Sequence, residues 1–560
     1  MTNYEIADHF ALLGKLMDIH GEDSFKAKTY SSAAFNIEKL PTELATIGEA
    51  ELFEIRGIGK NTGAKILELL RTGKMQILEE LIARTPAGIL EMMNIKGLGP
   101  KKIATIWQEL GIETLGELEY ACHENRLITA KGFGAKTQEN VLQNLLYFKQ
   151  NLGFHLWAEV EEFANSMCNN LQASFPANKF ALSGDYRRQV ETLEEIAIVT
   201  DVQETELQTY YNTVEGSEIY NLEDGSIHIQ LPACPLLCFH LCTISNFYSV
   251  LFKTSGSDEF VNAFTATYKI ADDAINEEAI FEDNGLPYIM PAQREGNDIL
   301  KLAAKATVPV IQPGDIKGII HSHSKYSDGA DSLEDMAKAA RDKGYQYLVI
   351  SDHSQAAFYA KGLSPETIAV QHIEIDALNT KLAPFKIFKS IEADILNEGQ
   401  LDYNNKVLNT FDLVIASVHS NLKMSEEKAM NRVMNAIKNP FTTILGHPTG
   451  RLLLSRKGYP IDHKQIIDAC AEHQVVVEIN AHPRRLDLDW RWIEYAMERG
   501  VLLSIDPDAH AVAGYHDVYY GVKVAQKGGL TAKSNLSSYS LQQFEMFLEK
   551  YRIKKSQVII

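Results

Sequence analysis

Residues 317–328, KGIIHSHSKYSD, join a short apolar, β-branched run to a pair of histidines and an aspartate. Six more apolar runs follow at intervals: YLVI (347–350), FKIF (385–388), LVIA (413–416), TTIL (442–445), VVVEI (475–479) and LLSI (502–505). Helical segments separate them. Strands alternating with helices over roughly 240 residues predict a parallel sheet, and seven in succession predict a barrel of the TIM type.

Metal-binding side chains collect where these runs stop. The first run is followed by His321, His323 and Asp328, the second by Asp352-His353, the third by Glu392 and the fourth by His419. His447 follows the fifth run, and Asp508 and His510 follow the seventh. In such a barrel the C-terminal strand ends face one mouth, so residues about 190 positions apart converge there. One histidine at a strand end reads as a satisfied polar residue. Six histidines and three carboxylates at the same end do not, because buried titratable groups leave unsatisfied polar atoms unless a metal binds them. Nine ligands exceed one tetrahedral site. Two or three divalent ions are expected, and mixed imidazole and carboxylate ligation favours Mn or Zn, with Fe a further candidate.

The set His321-x-His323 with Ser324, Ser327, Asp328 and Gly329, then Ser351-Asp352-His353, Gly446-His447-Pro448 and Asp508-Ala509-His510, resembles the polymerase and histidinol phosphatase (PHP) domain. Gly285-Leu286-Pro287-Tyr288-Ile289 with Arg294-Glu295, and Glu478-Ile479-Asn480 with Arg485-Leu486-Asp487, extend the likeness to bacterial family X DNA polymerases that carry a PHP domain at the C-terminus. The resemblance implies a trinuclear metal centre on those nine ligands and hydrolysis of DNA from 3′ ends. Arg451 and Arg485, after the fifth and sixth strands, are candidates to hold substrate phosphate, with Lys325 a weaker one.

Upstream, Ser183-Gly184-Asp185-Tyr186-Arg187-Arg188 and Glu194-Glu195-Ile196-Ala197-Ile198 resemble the family X palm. Where the family has a serine after the glycine, Asp185 stands; where it has two catalytic aspartates, Glu195 and Ala197 stand. The third aspartate is expected on SIHIQL (226–231), which has none. Such a palm is expected to lack the two metals of nucleotidyl transfer. Cys234, Cys238 and Cys242, four residues apart around His240, read as one face of a helix whose thiols pack, with a zinc site the lesser alternative.

The first 150 residues read as helices. Thr2 to Glu5 has capping-box spacing, with Ile6, Phe10, Leu13 and Met17 at helical intervals behind it. Three glycine motifs recur at Gly57-Ile58-Gly59, Gly97-Leu98-Gly99 and Gly132-Phe133-Gly134, with Lys60, Lys101, Lys102 and Lys136 just beyond. They resemble helix-hairpin-helix motifs, whose glycines and following backbone N–H groups meet DNA phosphates without reading sequence. Lys65 falls where family X lyase domains carry a nucleophilic lysine, although the lysine that often accompanies it is Asn61 here.

Composition agrees with a globular enzyme: 560 residues, 45% hydrophobic and 23% charged, exclude collagenous and disordered classes. With 54 basic and 74 acidic residues the net charge is −20, so nucleic-acid contacts are expected to be local. Residues 51–110 fit that, with nine Lys or Arg against seven Glu. Six scattered cysteines suit a reducing compartment, and neither a signal peptide nor a spanning helix is legible, so a cytoplasmic, membrane-free protein acting as a monomer is expected.

The chain thus reads as multidomain. Residues 1–150 form an all-α helix-hairpin-helix region, 151–312 an α+β palm and thumb of nucleotidyltransferase type, and 313–560 an α/β PHP domain built as a distorted TIM-type barrel. The expected activity is metal-dependent phosphodiester hydrolysis, a 3′ to 5′ exonuclease or end-processing enzyme of DNA repair acting on gapped, single-stranded or 3′ ends. An active repair polymerase with an editing domain, and a non-catalytic DNA-end scaffold, are the alternatives.

Overall fold

The computed structural model describes all residues except 41, 56, 124, 125, 233, 304–308 and 557–560, so Arg56 of the basic window lies outside the described residues. The chain divides into two compact units, Met1–Leu152 and Gly153–Ile560.

The first unit is helical. Helix α1 (Asn3–His20) begins with the expected capping box, in which Glu5 N donates to Thr2 Oγ1 at 3.3 Å and Thr2 N donates to Glu5 Oε2 at 2.5 Å. Ile6, Phe10, Leu13 and Met17 point inward and pack with α2 (Ser24–Glu38). Three equivalent hairpin turns follow. Gly57, Gly97 and Gly132 take φ of 95°, 88° and 87°, a region that only glycine enters cheaply. Each turn closes on the same bond, Ile58 N to Ile55 O at 3.0 Å, Leu98 N to Ile95 O at 3.1 Å and Phe133 N to Ala130 O at 3.1 Å. Gly59, Gly99 and Gly134 then occupy the N-cap of α3 (Lys60–Thr72), α4 (Pro100–Ala104) and α5 (Ala135–Gln150).

The second unit carries, after a helix over Trp157–Ser174, a five-stranded sheet: β1 (Phe180–Leu182), β2 (Glu195–Thr200), β3 (Glu218–Asn221), β4 (Ile227–Gln230) and β5 (Leu236–Leu241). They lie in the order β1-β2-β5-β4-β3, with β2 and β5 parallel and the other pairs antiparallel. The expected cysteine helix is therefore corrected to a strand. Leu237 and Phe239 enter the core while Cys238 and His240 take the other face, and this period of two outweighs the four-residue cysteine spacing that suggested a helix.

Next comes the parallel sheet β6 (Gly318–Ile319), β7 (Tyr347–Ile350), β8 (Lys386–Asp394), β9 (Leu413–Ser417), β10 (Ile444–Leu445), β11 (Val476–Asn480) and β12 (Leu503–Asp506), each paired with the next in chain order. Just past the strand ends, His323 N donates to Ala509 O at 2.8 Å and joins β6 to β12, so the barrel is nearly closed. These strands carry apolar runs because helices cover their outer side and the barrel interior their inner side.

Candidate metal centre

All nine expected ligands lie at the barrel mouth or in the loops that rim it. His323, Asp328, His353 and His510 bring one ligand atom each within 4.8 Å of one another. So do His321, His323 and Asp508, and so do His353, Glu392 and His419. His447 joins through Nε2, 3.0 Å from Glu392 Oε1. The groups overlap at His323 and His353, so these candidate ligand clusters lie side by side.

The local backbone is bent to do this. His321, His447 and Asp508 have φ of 60°, 23° and 52°. Non-glycine residues held there cost of order 1–3 kcal/mol each and cluster at functional sites.

Outer partners set which nitrogen faces inward. His321 Nδ1 lies 2.6 Å from Glu478 Oε2, His419 Nδ1 lies 2.6 Å from Asp394 Oδ1, and His510 Nδ1 lies 2.8 Å from the Asp508 carbonyl oxygen. In each ring this leaves Nε2 as the lone-pair donor, the usual arrangement behind a metal-bound imidazole. Asp352, the neighbour of His353, accepts from Ser324 N at 2.8 Å, Ser324 Oγ at 2.7 Å, Ser327 Oγ at 2.5 Å and Gln371 Nε2 at 2.6 Å. It fixes the loop carrying Asp328. Glu478, Asp394 and Gln371 are the functional residues that sequence reasoning did not assign. Asp394 closes strand β8 and Glu478 lies within β11, and only the placement of His419 and His321 against them distinguishes them from ordinary strand carboxylates.

Buried atoms of these residues are left unpaired. His321 Nε2, His323 Nδ1, His353 Nδ1, His447 Nδ1 and Glu392 Oε2 are buried without a hydrogen-bond partner. His353 Nδ1 and Glu392 Oε2 are only 2.9 Å apart yet are not aligned as donor and acceptor. Lone pairs sharing a buried point in this way are what a divalent ion satisfies.

Electrostatics agree. Burial opposes charge on Glu392 and Asp508, but the surrounding imidazoles outweigh it and hold both carboxyls well below the usual range. Burial, reinforced by His353 and His510, pushes His323 down to about 3, so this ring is neutral and ready to ligate.

The phosphate-binding candidates separate. Arg485 Nε is 3.7 Å from Asp508 Oδ2, at the edge of the centre. Arg451 is committed elsewhere: its guanidinium donates to Arg485 O at 2.8 Å, Leu486 O at 2.5 Å and Asp489 Oδ2 at 2.6 Å, and also reaches Glu191. Lys65 on α3 forms an ion pair of 2.7 Å with Glu68 one helical turn away, so its ammonium is engaged with a carboxylate of its own helix.

Comparison with known proteins places this geometry. Residues 1–75 match the helix-hairpin-helix domain, 89–145 the SAM-like helix-hairpin-helix tandem and 320–482 the PHP domain. Over 566 aligned positions the chain is 32% identical to the DNA polymerase/3′-5′ exonuclease PolX of Bacillus subtilis (strain 168), covering 95% of this chain and 97% of that protein.

The chain belongs to the PolX family. The chain is also similar to a probable phosphatase of Caldanaerobacter subterraneus subsp. tengcongensis, 32% identical over 29% of this chain and 60% of that protein. The probable phosphatase YcdX of Escherichia coli O81 is 30% identical over 29% of this chain and 62% of its own length. This PolX protein is therefore a metal-dependent enzyme acting on phosphoester bonds, with helix-hairpin-helix elements that bind DNA. Among the described residues, no helix is long and apolar enough to cross a membrane.

Proposed function

We propose that this PolX protein removes nucleotides from DNA 3′ ends at the barrel mouth and does not polymerise. The observation that carries it is the convergence of nine candidate ligands at the barrel mouth, five of which hold a buried atom without a hydrogen-bond partner. Two or three Mn or Zn ions are the cofactors this donor set suits. When bound, such ions polarise the phosphoester and neutralise charge on its oxygens. Arg485, whose Nε lies 3.7 Å from Asp508 Oδ2, is the residue proposed to hold the phosphate beside them. Phe358 and Tyr359, 85% and 61% exposed, flank the mouth, with the Tyr359 ring 6.4 Å from that of His353. They offer faces on which the terminal bases stack.

The hairpin glycines Gly57, Gly59, Gly97, Gly99, Gly132 and Gly134 bring backbone N–H groups to DNA phosphates, with Lys60, Lys101, Lys102 and Lys136 adding charge. Gapped, single-stranded and 3′-ended DNA are the substrates this suits, and the protein acts as a monomer.

The palm argues against synthesis. Ala197 supplies no ligand where the second aspartate belongs, and its methyl group is sealed beneath Gly184, where an added Cβ would lie 2.8 Å away. The basic residues near the triphosphate position are consumed: Arg188 pairs with Asp185 and with Glu295, and Arg187 with Glu277. Comparing 3′ labelled single-stranded, gapped and 3′-phosphate DNA with Mn tests the reading. Cleavage of a small phosphate monoester but of none of these DNAs would replace the nuclease with a small-molecule phosphatase.

A further inference from the structure

Strand alternation sorts the palm sheet into two chemically distinct faces. Ile196, Ile198, Leu237, Phe239, Ile227 and Ile229 fill the core on one side. On the other, register places Cys238 of β5 directly between Ala197 of β2 and His228 of β4. Glu195 lies two residues before Ala197 and His240 two after Cys238, so both share that face.

Three of these side chains converge. Glu195, His228 and Cys238 bring a carboxylate oxygen, an imidazole nitrogen and a sulfur within 4.8 Å of one another. His228 Nε2 is 3.4 Å from Glu195 Oε2, and His240 Nε2 is 3.7 Å from Cys238 Sγ, a fourth donor at the edge. Cys238 is buried, whereas Glu195 and His228 are part-exposed and leave an approach from solvent.

The donor chemistry is specific. A pair of Mg ions needs several oxygen ligands in near-octahedral order, and one carboxylate beside an alanine does not supply them. One oxygen, one imidazole and one thiolate instead match the borderline-soft, four-coordinate preference of Zn, whose thiolate, imidazole and carboxylate bonds span about 2.0–2.3 Å. We propose that the palm holds one thiolate-ligated divalent ion of the zinc class on Glu195, His228 and Cys238, on the face where an active palm would carry its carboxylates. This site is independent of the barrel centre, and its test does not read the nuclease.

Cobalt(II) is the probe. None of the nine barrel ligands is a cysteine, so a thiolate-to-cobalt charge-transfer band in the full-length, cobalt-loaded protein reports the palm alone. The band should saturate at one ion per chain and vanish in Cys238→Ser. Glu195→Gln, which keeps the thiol, should weaken the cobalt affinity read from that band at least about tenfold. No band at saturating cobalt, a band that survives Cys238→Ser, or an affinity unchanged in Glu195→Gln would each overturn the proposal.

Discussion

The side chain of Glu478 holds His321 Nδ1 at 2.6 Å, with both groups fully buried, and thereby turns His321 Nε2 towards Glu392 and Asp508. Glu478 is a positioning residue, since it acts through an imidazole. Glu478→Gln should fold and keep all nine ligands yet lose metal affinity by about 10–100-fold. Calorimetric titration with Mn, alongside circular dichroism to establish folding, measures this. Unchanged affinity would show that His321 needs no orientation.

Proton linkage gives a second expectation. Burial disfavours charge on His353 and His419, but Glu392, with Asp328 and Asp394, outweighs it and pushes the two imidazoles up to about 10 and about 9. An unfolded histidine titrates near about 6.5. These raised values stabilise the metal-free fold fully below that pH, and the contribution is lost as pH rises towards 9 and 10. Metal-free protein should therefore melt at progressively lower temperature from about pH 6.5 to 10. Metal uptake at pH 7 should release protons and tighten with rising pH. Buffers of different ionisation enthalpy reveal the release in calorimetry, and zero release would contradict the assignment.

Arg451 and Arg485 should fail in different ways. Arg451→Ala breaks a largely buried network with Asp489 and Glu191, so a loss of stability of about 3 kcal/mol is expected in urea unfolding. Arg485→Ala should leave stability near wild type and raise KM for DNA, because its guanidinium faces the centre. The reverse pattern would exchange their roles.

Polymerase activity should be absent. Primer extension with all four nucleotides and Mg or Mn is best run on His353→Ala, in which the barrel cannot erase products. Robust extension by that variant would restore the palm as a working site.

The barrel was legible because its strands are covered on both sides, which forces β-branched runs, and because their ligands stand at one end of each run. The hairpins were legible because Gly57, Gly97 and Gly132 need positive φ. Other features depend on distant partners. Arg451 looks like a phosphate ligand until Glu191, 260 residues away, is seen beside it. Glu478 and Asp394 look like ordinary strand carboxylates until His321 and His419 are placed against them. Cys238 was misread because a spacing of four suggests a helix, while the strand is set by its pairing with β2 and β4.

The central test is release of nucleotides from a 3′ labelled DNA by metal-reconstituted protein, compared between wild type and Asp508→Ala. Asp508 touches both His321 and His323, so its loss should abolish Mn-stimulated cleavage while the fold survives. Wild-type cleavage rates in Asp508→Ala would place the nuclease outside the barrel mouth.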